Sequence, residues 1–141
     1  MKPFKYFLET NEVKKTSQDK ALASSLIKDM LGRIKDVSSL DISKFPKIAF
    51  ENIYDSLRDF ADAVLAIEGF KSYSHQASFS YLKKFDFAEE TLETLDRFRY
   101  KRNGSKYYGQ IISEEEAKEI FEFYKKIKNK IEEILKSEKL I

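Results

Sequence analysis

Residues 46–69 read PKIAFENIYDSLRDFADAVLAIEG and carry the cleanest amphipathic pattern in the chain. Proline suits the first turn of a helix, where its missing N–H has no intrahelical partner, and glycine often follows the last turn. We therefore expect a helix that begins near Pro46 and ends at Gly69. Its apolar residues recur every three or four positions and form one face, which comprises Phe50, Ile53, Tyr54, Leu57, Phe60, Ala61, Val64 and Leu65.

The rest of the chain shows the same helical period in four further segments. Ser113 and Glu116 have the spacing of a capping box, which predicts the start of the last of them. No segment alternates polar and apolar residues for long enough to predict a strand. The sequence therefore predicts an all-α, up-and-down bundle of about five helices. The four further helices are expected from about Glu12 or Ser17 to Asp36, from Ser72 or Ser74 over a short stretch, from about Ala88 to Arg102 with Gly104 ending it, and from Glu114 to about Lys136.

Composition indicates one globular domain over residues 1–141, of which residues 1–11 form an N-terminal arm. Charged residues make up 35% and hydrophobic residues 42%, and no apolar run approaches the roughly 18 residues that span a bilayer. The N-terminus lacks a signal-peptide pattern, so we expect a cytoplasmic protein. With no cysteine and a single histidine, His75, we expect neither a metal site nor a cofactor. Abundant lysine and glutamate fit the surface of a thermophile's protein.

Positive charge gathers in residues 97–109, which read RFRYKRNGSKYYG and contain five cations and three tyrosines. The predicted helices on either side have acidic faces, so this connection is where an anionic ligand, phosphate above all, would be attracted. The alternative is a solvated basic helix end, which the helix dipole favours by itself.

The order of residues in this stretch resembles the HEPN family, small helical bundles related in fold to nucleotidyltransferase substrate-binding subunits. The family's signature is an arginine, four to six further residues and a histidine, often with asparagine directly after the arginine. Here Asn103 follows Arg102, and four residues separate Arg102 from Tyr107. Upstream, residues 61–70 (ADAVLAIEGF) and the following Ser74-His75 are similar to the family's second helix and turn.

The resemblance implies a metal-independent endoribonuclease, or a toxin paired with a minimal nucleotidyltransferase antitoxin, or a binding module that does not cleave. It implies that Arg102 holds phosphate with support from Asn103, and it places the catalytic position on Tyr107. The ordinary pKa of tyrosine is near 10, whereas that of the histidine in the family's motif is near 6.5. A tyrosine at position 107 is therefore a poor proton carrier at neutral pH, although it can stack on a base. We therefore expect binding of nucleotide or RNA rather than turnover, by the residues Arg99, Lys101, Arg102, Asn103, Lys106, Tyr107 and Tyr108.

Three further residues are candidates for an auxiliary role in proton transfer: His75, Asp55 and Asp62. A lone histidine near a helix start is more often a structural hydrogen bonder than a catalyst. Asp55 and Asp62 share a helix face with Asp59, and a solvated acidic face with Arg58 as a partner is the more frequent arrangement.

Two alternatives to a binding module stay open: a ribonuclease that uses Arg102 and Tyr107, and a helical scaffold that binds neither RNA nor nucleotide. The resemblance also implies a two-fold homodimer that brings two basic loops together. We expect its contact on the first and fourth predicted helices, where Phe98 and Tyr100 lie off the main apolar stripe.

Overall fold

The helix predicted from residues 46–69 lies at the centre of the molecule. In the computed structural model, which describes residues 1–141, this helix is α3 in chain order and spans Pro46–Glu68. Gly69 follows it with φ of 85°, a left-handed conformation that glycine adopts without steric cost. All eight residues of the predicted apolar face are buried, and so are Ala49, Ala63 and Ala66. Because buried residues lie around much of its circumference, α3 is covered by several neighbours rather than by one.

Five further helices pack around α3 and confirm the prediction of an all-α helical bundle. α3 contacts four of them directly and shares with them a core in which aromatic rings and branched aliphatic side chains interlock. A short 3₁₀ turn, Leu82–Phe85, directly follows the helix His75–Tyr81. Their bounds are α1 Phe4–Glu9, α2 Lys20–Ser38, α4 His75–Tyr81, α5 Glu89–Tyr108 and α6 Glu114–Ser137.

The starts of α2 and α6 follow from side-chain caps. At α6 the Ser113 hydroxyl accepts a hydrogen bond from the Glu116 backbone N–H, and the Glu116 carboxylate accepts one from the Ser113 N–H, so the predicted capping box is confirmed. At α2 the Asp19 carboxylate accepts from the Leu22 N–H at 2.9 Å. This cap fixes the start of α2 at Lys20, later than the predicted Glu12 or Ser17.

A two-stranded antiparallel sheet pairs a segment before α2 with a segment after α3, so the expectation of no strand is wrong. Strand β1, Val13–Lys15, pairs with β2, Phe70–Ser72, with Val13 opposite Ser72 and Lys15 opposite Phe70. Three residues per strand are too few to show an alternating pattern, and the pairing joins segments more than fifty positions apart along the chain. The ribbon ties the N-terminal segment to the connection between α3 and α4.

The predicted N-terminal arm is a short helix that packs against this ribbon. In α1 the Phe7 side chain is buried, and the Phe4 ring lies 5.3 Å from the Phe70 ring and 4.6 Å from the Tyr81 ring, measured between centroids. These contacts explain why so apolar a segment is not a free tail.

The fourth predicted helix is longer than expected, because Gly104 does not end it. α5 continues through Gly104 to Tyr108, and Gly109 ends it with φ of 68°. The Gly104 carbonyl then accepts a hydrogen bond from the Gln110 N–H at 3.1 Å, which turns the chain back along the helix. The stretch from Arg97 to Gly109 is therefore one continuous helix and its cap, rather than a helix and a loop.

Phe98 does not lie on the surface as the dimer prediction required. Its ring is buried and makes edge-to-face contacts with Phe50 and Phe123, at centroid distances of 5.9 Å and 5.3 Å. Tyr100, two positions further along α5, is 71% exposed. None of the helices combines the length and apolar composition that a bilayer crossing requires.

Candidate functional site

His75, the first residue of α4, lies between α3 and α5 and is the centre of the candidate site. Ser74 caps α4 by accepting a hydrogen bond from the Ala77 N–H, which places His75 at the helix start. The imidazole Nδ1 of His75 is 2.6 Å from the hydroxyl oxygen of Tyr54, a fully buried residue of α3. The two rings lie nearly parallel, with 17° between their planes.

The protonation of this pair is set by burial and by nearby cations. Burial, with the charges of Arg58, Arg102, Arg99 and Lys106 acting in the same direction, lowers the pKa of His75 to about 4. Burial raises the pKa of the Tyr54 hydroxyl, so the hydroxyl keeps its proton. Since this buried hydroxyl has no other partner in the chain, it donates its hydrogen bond to Nδ1, and the neutral imidazole carries its N–H on Nε2.

Three arginines converge on this pair, and each is oriented by one aspartate. The arginine side chains are mostly buried, at 13–20% exposed, and two of the aspartates come from α3 and one from α5. The pairs are Arg58 with Asp62 at 2.8 Å, Arg99 with Asp96 at 2.7 Å, and Arg102 with Asp55 at 3.3 Å. Together with Lys106, these three arginines are called the basic cluster below.

The aspartates leave several guanidinium donors unused. Arg58 and Arg99 bond through Nε, and their terminal nitrogens donate no hydrogen bond within the chain. Arg102 bonds through a terminal nitrogen, and its buried Nε has no acceptor. Buried donors normally have partners, so the unpartnered Nε of Arg102 indicates a group outside the chain, and the terminal nitrogens of Arg58 and Arg99 are available to the same group. Guanidinium forks match the oxygens of phosphate and carboxylate groups.

The row of aspartates on α3 is partnered by arginines of α2, α3 and α5. Arg58 partners Asp62, as the sequence suggested, and Arg33 of α2 partners Asp59 at 3.2 Å. Burial raises the pKa of Asp62, and it raises that of Asp59 to about 6 against the opposing charge of Arg33. No three carboxylate or imidazole side chains lie close enough together to hold a metal ion.

The helical period of α5 separates the residues predicted to act together. Arg99, Arg102 and Lys106 lie three and four positions apart and share the face toward His75. Tyr107 lies five positions after Arg102, roughly 140° away around the helix, and is 63% exposed. Lys101 pairs with Glu116 of α6 at 2.9 Å, away from the cluster. The structure therefore joins Arg102 to His75 and separates it from Tyr107.

A concavity adjoins the basic cluster at the end of α5. It has a volume of about 320 Å³, and Arg99 belongs both to its lining and to the cluster. Its lining consists of Arg99, Tyr100, Asn103, Gly104, Tyr108 and Gln110. We call it the tyrosine pocket.

A larger concavity of about 390 Å³ lies between α2, α3 and the ribbon, with Asp62 in its lining. Both Asp62 oxygens are already bonded, one to Arg58 and the other to the Ser78 hydroxyl. No buried side chain in this pocket lacks a partner, so it offers no comparable donor set.

Sequence reasoning missed five residues of the site: Tyr54 and Arg58 of α3, Asp96 and Tyr100 of α5, and Gln110 after the end of α5. Tyr54 was assigned to the core, where it also lies, and Arg58 was considered only as a partner of acids. The available signal for Arg58 was its position next to the apolar face of the central helix, because a charged side chain there is rarely buried without a partner or a role.

Comparisons with protein-family profiles, curated proteins and solved structures found no match for this chain. The fold and the site define a helical bundle with a basic cluster around one half-buried histidine. The resemblance to HEPN proteins stays a prediction.

Proposed function

We propose that this protein binds the phosphate group of a nucleotide or of RNA at the basic cluster. The observation that carries the proposal is that Arg58, Arg99 and Arg102, from two helices, keep guanidinium donors with no acceptor in the chain. The basic cluster offers more hydrogen-bond donors, from three guanidinium groups and one ammonium, than the two oxygens of a ligand carboxylate would accept. A phosphate group, with several charged oxygens, suits this number of donors.

His75 supports binding more than catalysis. Its N–H on Nε2 is a further donor for an anionic oxygen, whereas its neutral state at pH 7 leaves it no proton to give as a general acid. A bound phosphate would add negative charge beside the imidazole and raise its pKa toward the ordinary value of 6.5.

The test is the affinity for a nucleoside monophosphate, measured by calorimetry for the wild type and for Arg58→Gln and Arg102→Gln. Each change removes charge-assisted hydrogen bonds of about 1.5–3 kcal/mol, so we expect a loss of roughly tenfold to a hundredfold. Arg97→Gln is the matched control, because Arg97 is an exposed arginine of the same helix that pairs with Glu119 of α6. Equal affinity in all four proteins, or no binding of any nucleotide or RNA, would overturn the proposal.

A metal-independent endoribonuclease is the second candidate, favoured by the position of His75. The structure supplies beside Arg102 the imidazole that the resembled motif lacks at Tyr107. Incubation of labelled RNA with a chelator distinguishes the two functions. Cleavage by the wild type that His75→Gln abolishes would establish turnover, and intact RNA with measurable binding would leave the binding function alone.

The resemblance to HEPN proteins extends the proposal to partners: a second copy of this chain and a small nucleotidyltransferase. A nucleotidyltransferase would fit as a partner if it could reach a nucleotide held at the basic cluster. Absence of complex formation with a nucleotidyltransferase encoded by a neighbouring gene would remove the second partner.

A further inference from the structure

The tyrosine pocket differs from the basic cluster in the chemistry of its walls. Two of its six lining residues are tyrosines with strongly exposed rings, Tyr100 at 71% and Tyr108 at 80%. Neither ring contributes to the core of the chain. Exposed aromatic faces of this kind stack on nucleobases without regard to sequence.

Two amide side chains complete the lining, and neither makes a hydrogen bond within the chain. Asn103 and Gln110 each offer a carbonyl acceptor and an NH₂ donor. Amides with this pair of groups can bond to the edge of a base, which presents donors and acceptors side by side. The pocket thus combines a stacking surface with edge-reading groups.

Gly104 makes room for one of these amides. A Cβ built at this position would overlap the side-chain amide of Gln110, so only glycine lets the amide lie against α5. The backbone bond from the Gln110 N–H to the Gly104 carbonyl fixes the turn that places it there. The glycine that seemed to end the helix therefore shapes the pocket.

Arg99 connects the pocket to the basic cluster, since it lines the first and contributes charge to the second. The pocket volume of about 320 Å³ lies in the range of small-molecule sites. We propose that the tyrosine pocket binds the unpaired base of the same nucleotide whose phosphate occupies the basic cluster. This inference rests on the proposed function and names its substrate class: a nucleoside 5′-phosphate, free or at an unpaired position of RNA.

The experiment compares the dissociation constants of adenosine 5′-monophosphate and ribose 5-phosphate, which differ only by the base. The wild type binds the nucleotide about tenfold or more tightly than the sugar phosphate, because stacking and amide contacts add to the phosphate contacts. Tyr108→Ala and Gln110→Ala remove this difference and leave the affinity for ribose 5-phosphate unchanged. Tyr107→Ala is the matched control, an adjacent exposed tyrosine outside the pocket, and keeps the difference.

The outcomes separate this inference from the proposed function. If ribose 5-phosphate binds as tightly as the nucleotide and Arg102→Gln weakens both, the phosphate site stands and the base pocket is overturned. Equal effects of Tyr107→Ala and Tyr108→Ala also overturn it. If neither compound nor a single-stranded oligonucleotide binds, the proposed function falls and takes the inference with it.

Single-stranded and duplex RNA of the same sequence distinguish the two sources of the nucleotide. Tighter binding of the single strand than of adenosine 5′-monophosphate supports an unpaired position of RNA as the ligand. Equal affinity of the monophosphate and the single strand supports a free nucleotide. Preference for the duplex, whose bases are stacked and paired, contradicts a pocket for an unpaired base.

Discussion

The Arg102 side chain is only 13% exposed, which is rare for an arginine. Its charge is balanced by Asp55 at 3.3 Å, and its guanidinium carbon lies 5.6 Å from the centre of the Tyr54 ring. Asp55 has a second cation, Arg33, at 3.8 Å. This shared arrangement holds Arg102 in place while leaving its buried Nε without an acceptor.

Arg102→Gln is expected to lower the free energy of unfolding by about 1 kcal/mol, because Asp55 keeps Arg33 as a partner and both are partly exposed. Chemical denaturation of the variant and of Arg97→Gln checks this value. A loss several times larger would mean that Arg102 serves the fold first, and binding data for the variant would then have to come from a conservative lysine replacement.

His75 makes stability depend on pH in a predictable direction. Its pKa is about 4 in the folded protein and 6.5 ordinarily, so between these values the unfolded chain binds the extra proton. The neutral imidazole of His75 therefore costs the folded state nothing above pH 6.5, and the free energy of unfolding decreases as the pH falls from 6.5 toward 4. Asp59 acts oppositely in much of this range, because its raised pKa of about 6 lets the folded state bind a proton first.

Comparison of the wild type with His75→Gln isolates the histidine, since Asp59 contributes to both proteins. We expect the stability difference between them to change by about 1–2 kcal/mol between pH 7 and pH 4, with the wild type losing more on acidification. Urea unfolding at several pH values measures it. A difference that does not vary with pH would mean that burial of the imidazole has been misjudged.

The cations of the site were predictable from the sequence only along α5, whereas His75, Asp55 and Asp62 were candidates for an auxiliary role. Arg99, Arg102 and Lys106 recur at helical spacing within one stretch, and charge density pointed to them. The contribution of His75 depends on the packing of α4 against α3 and α5, and no local pattern reports that packing. Tyr107 was chosen by its spacing in a motif, but a continuous helix turns it away from Arg102.

At the scale of elements, the course of α5 was the main error of sequence reasoning, and it concerns a glycine. Gly104 follows the basic residues at a place where glycine usually ends a helix. The residue that ends α5 in the left-handed conformation is Gly109 instead. Glycine lowers helix propensity by only about 1 kcal/mol, which tertiary packing can offset. The strands β1 and β2 were missed because their pairing is fixed by tertiary contacts rather than by local periodicity. Helices α3 and α6, by contrast, have long periodic faces and clear end signals.

Gly104→Ala tests the role of this helix position. We expect the variant to be as stable as the wild type or more stable, by about 0.5–1 kcal/mol, because alanine favours helix and the flexible Gln110 amide can move aside. The same displacement should reduce the preference for nucleotide over ribose 5-phosphate.

Gly32→Ala is the matched control for that change, since a Cβ at this helical position of α2 meets nothing within 4 Å. It should give a similar gain in melting temperature and leave ligand binding unaltered. If Gly104→Ala also leaves the preference for the base unaltered, Gln110 does not line the base site.

At the scale of the whole molecule, the surface around α5 bears on association. Exposed apolar and aromatic side chains gather at its end, among them Tyr100, Tyr107, Tyr108 and Ile111. The predicted homodimer would use Tyr100 rather than the buried Phe98. Light scattering is expected to give twice the 16.6 kDa mass of the chain, and Tyr100→Glu should shift the mass toward the monomer. A monomer mass for the wild type at all accessible concentrations would contradict the dimer.

The imidazole NMR signals of His75 test the central claim most directly, because this chain has one histidine and the signals need no assignment. The free protein should show a pKa of about 4, with the ring proton on Nε2. Saturation with adenosine 5′-monophosphate should shift these signals and raise the pKa by about one unit or more, because a phosphate then lies beside the ring. Arg97→Gln should behave as the wild type does. Unchanged His75 signals and pKa at saturating nucleotide would contradict a phosphate site at the basic cluster.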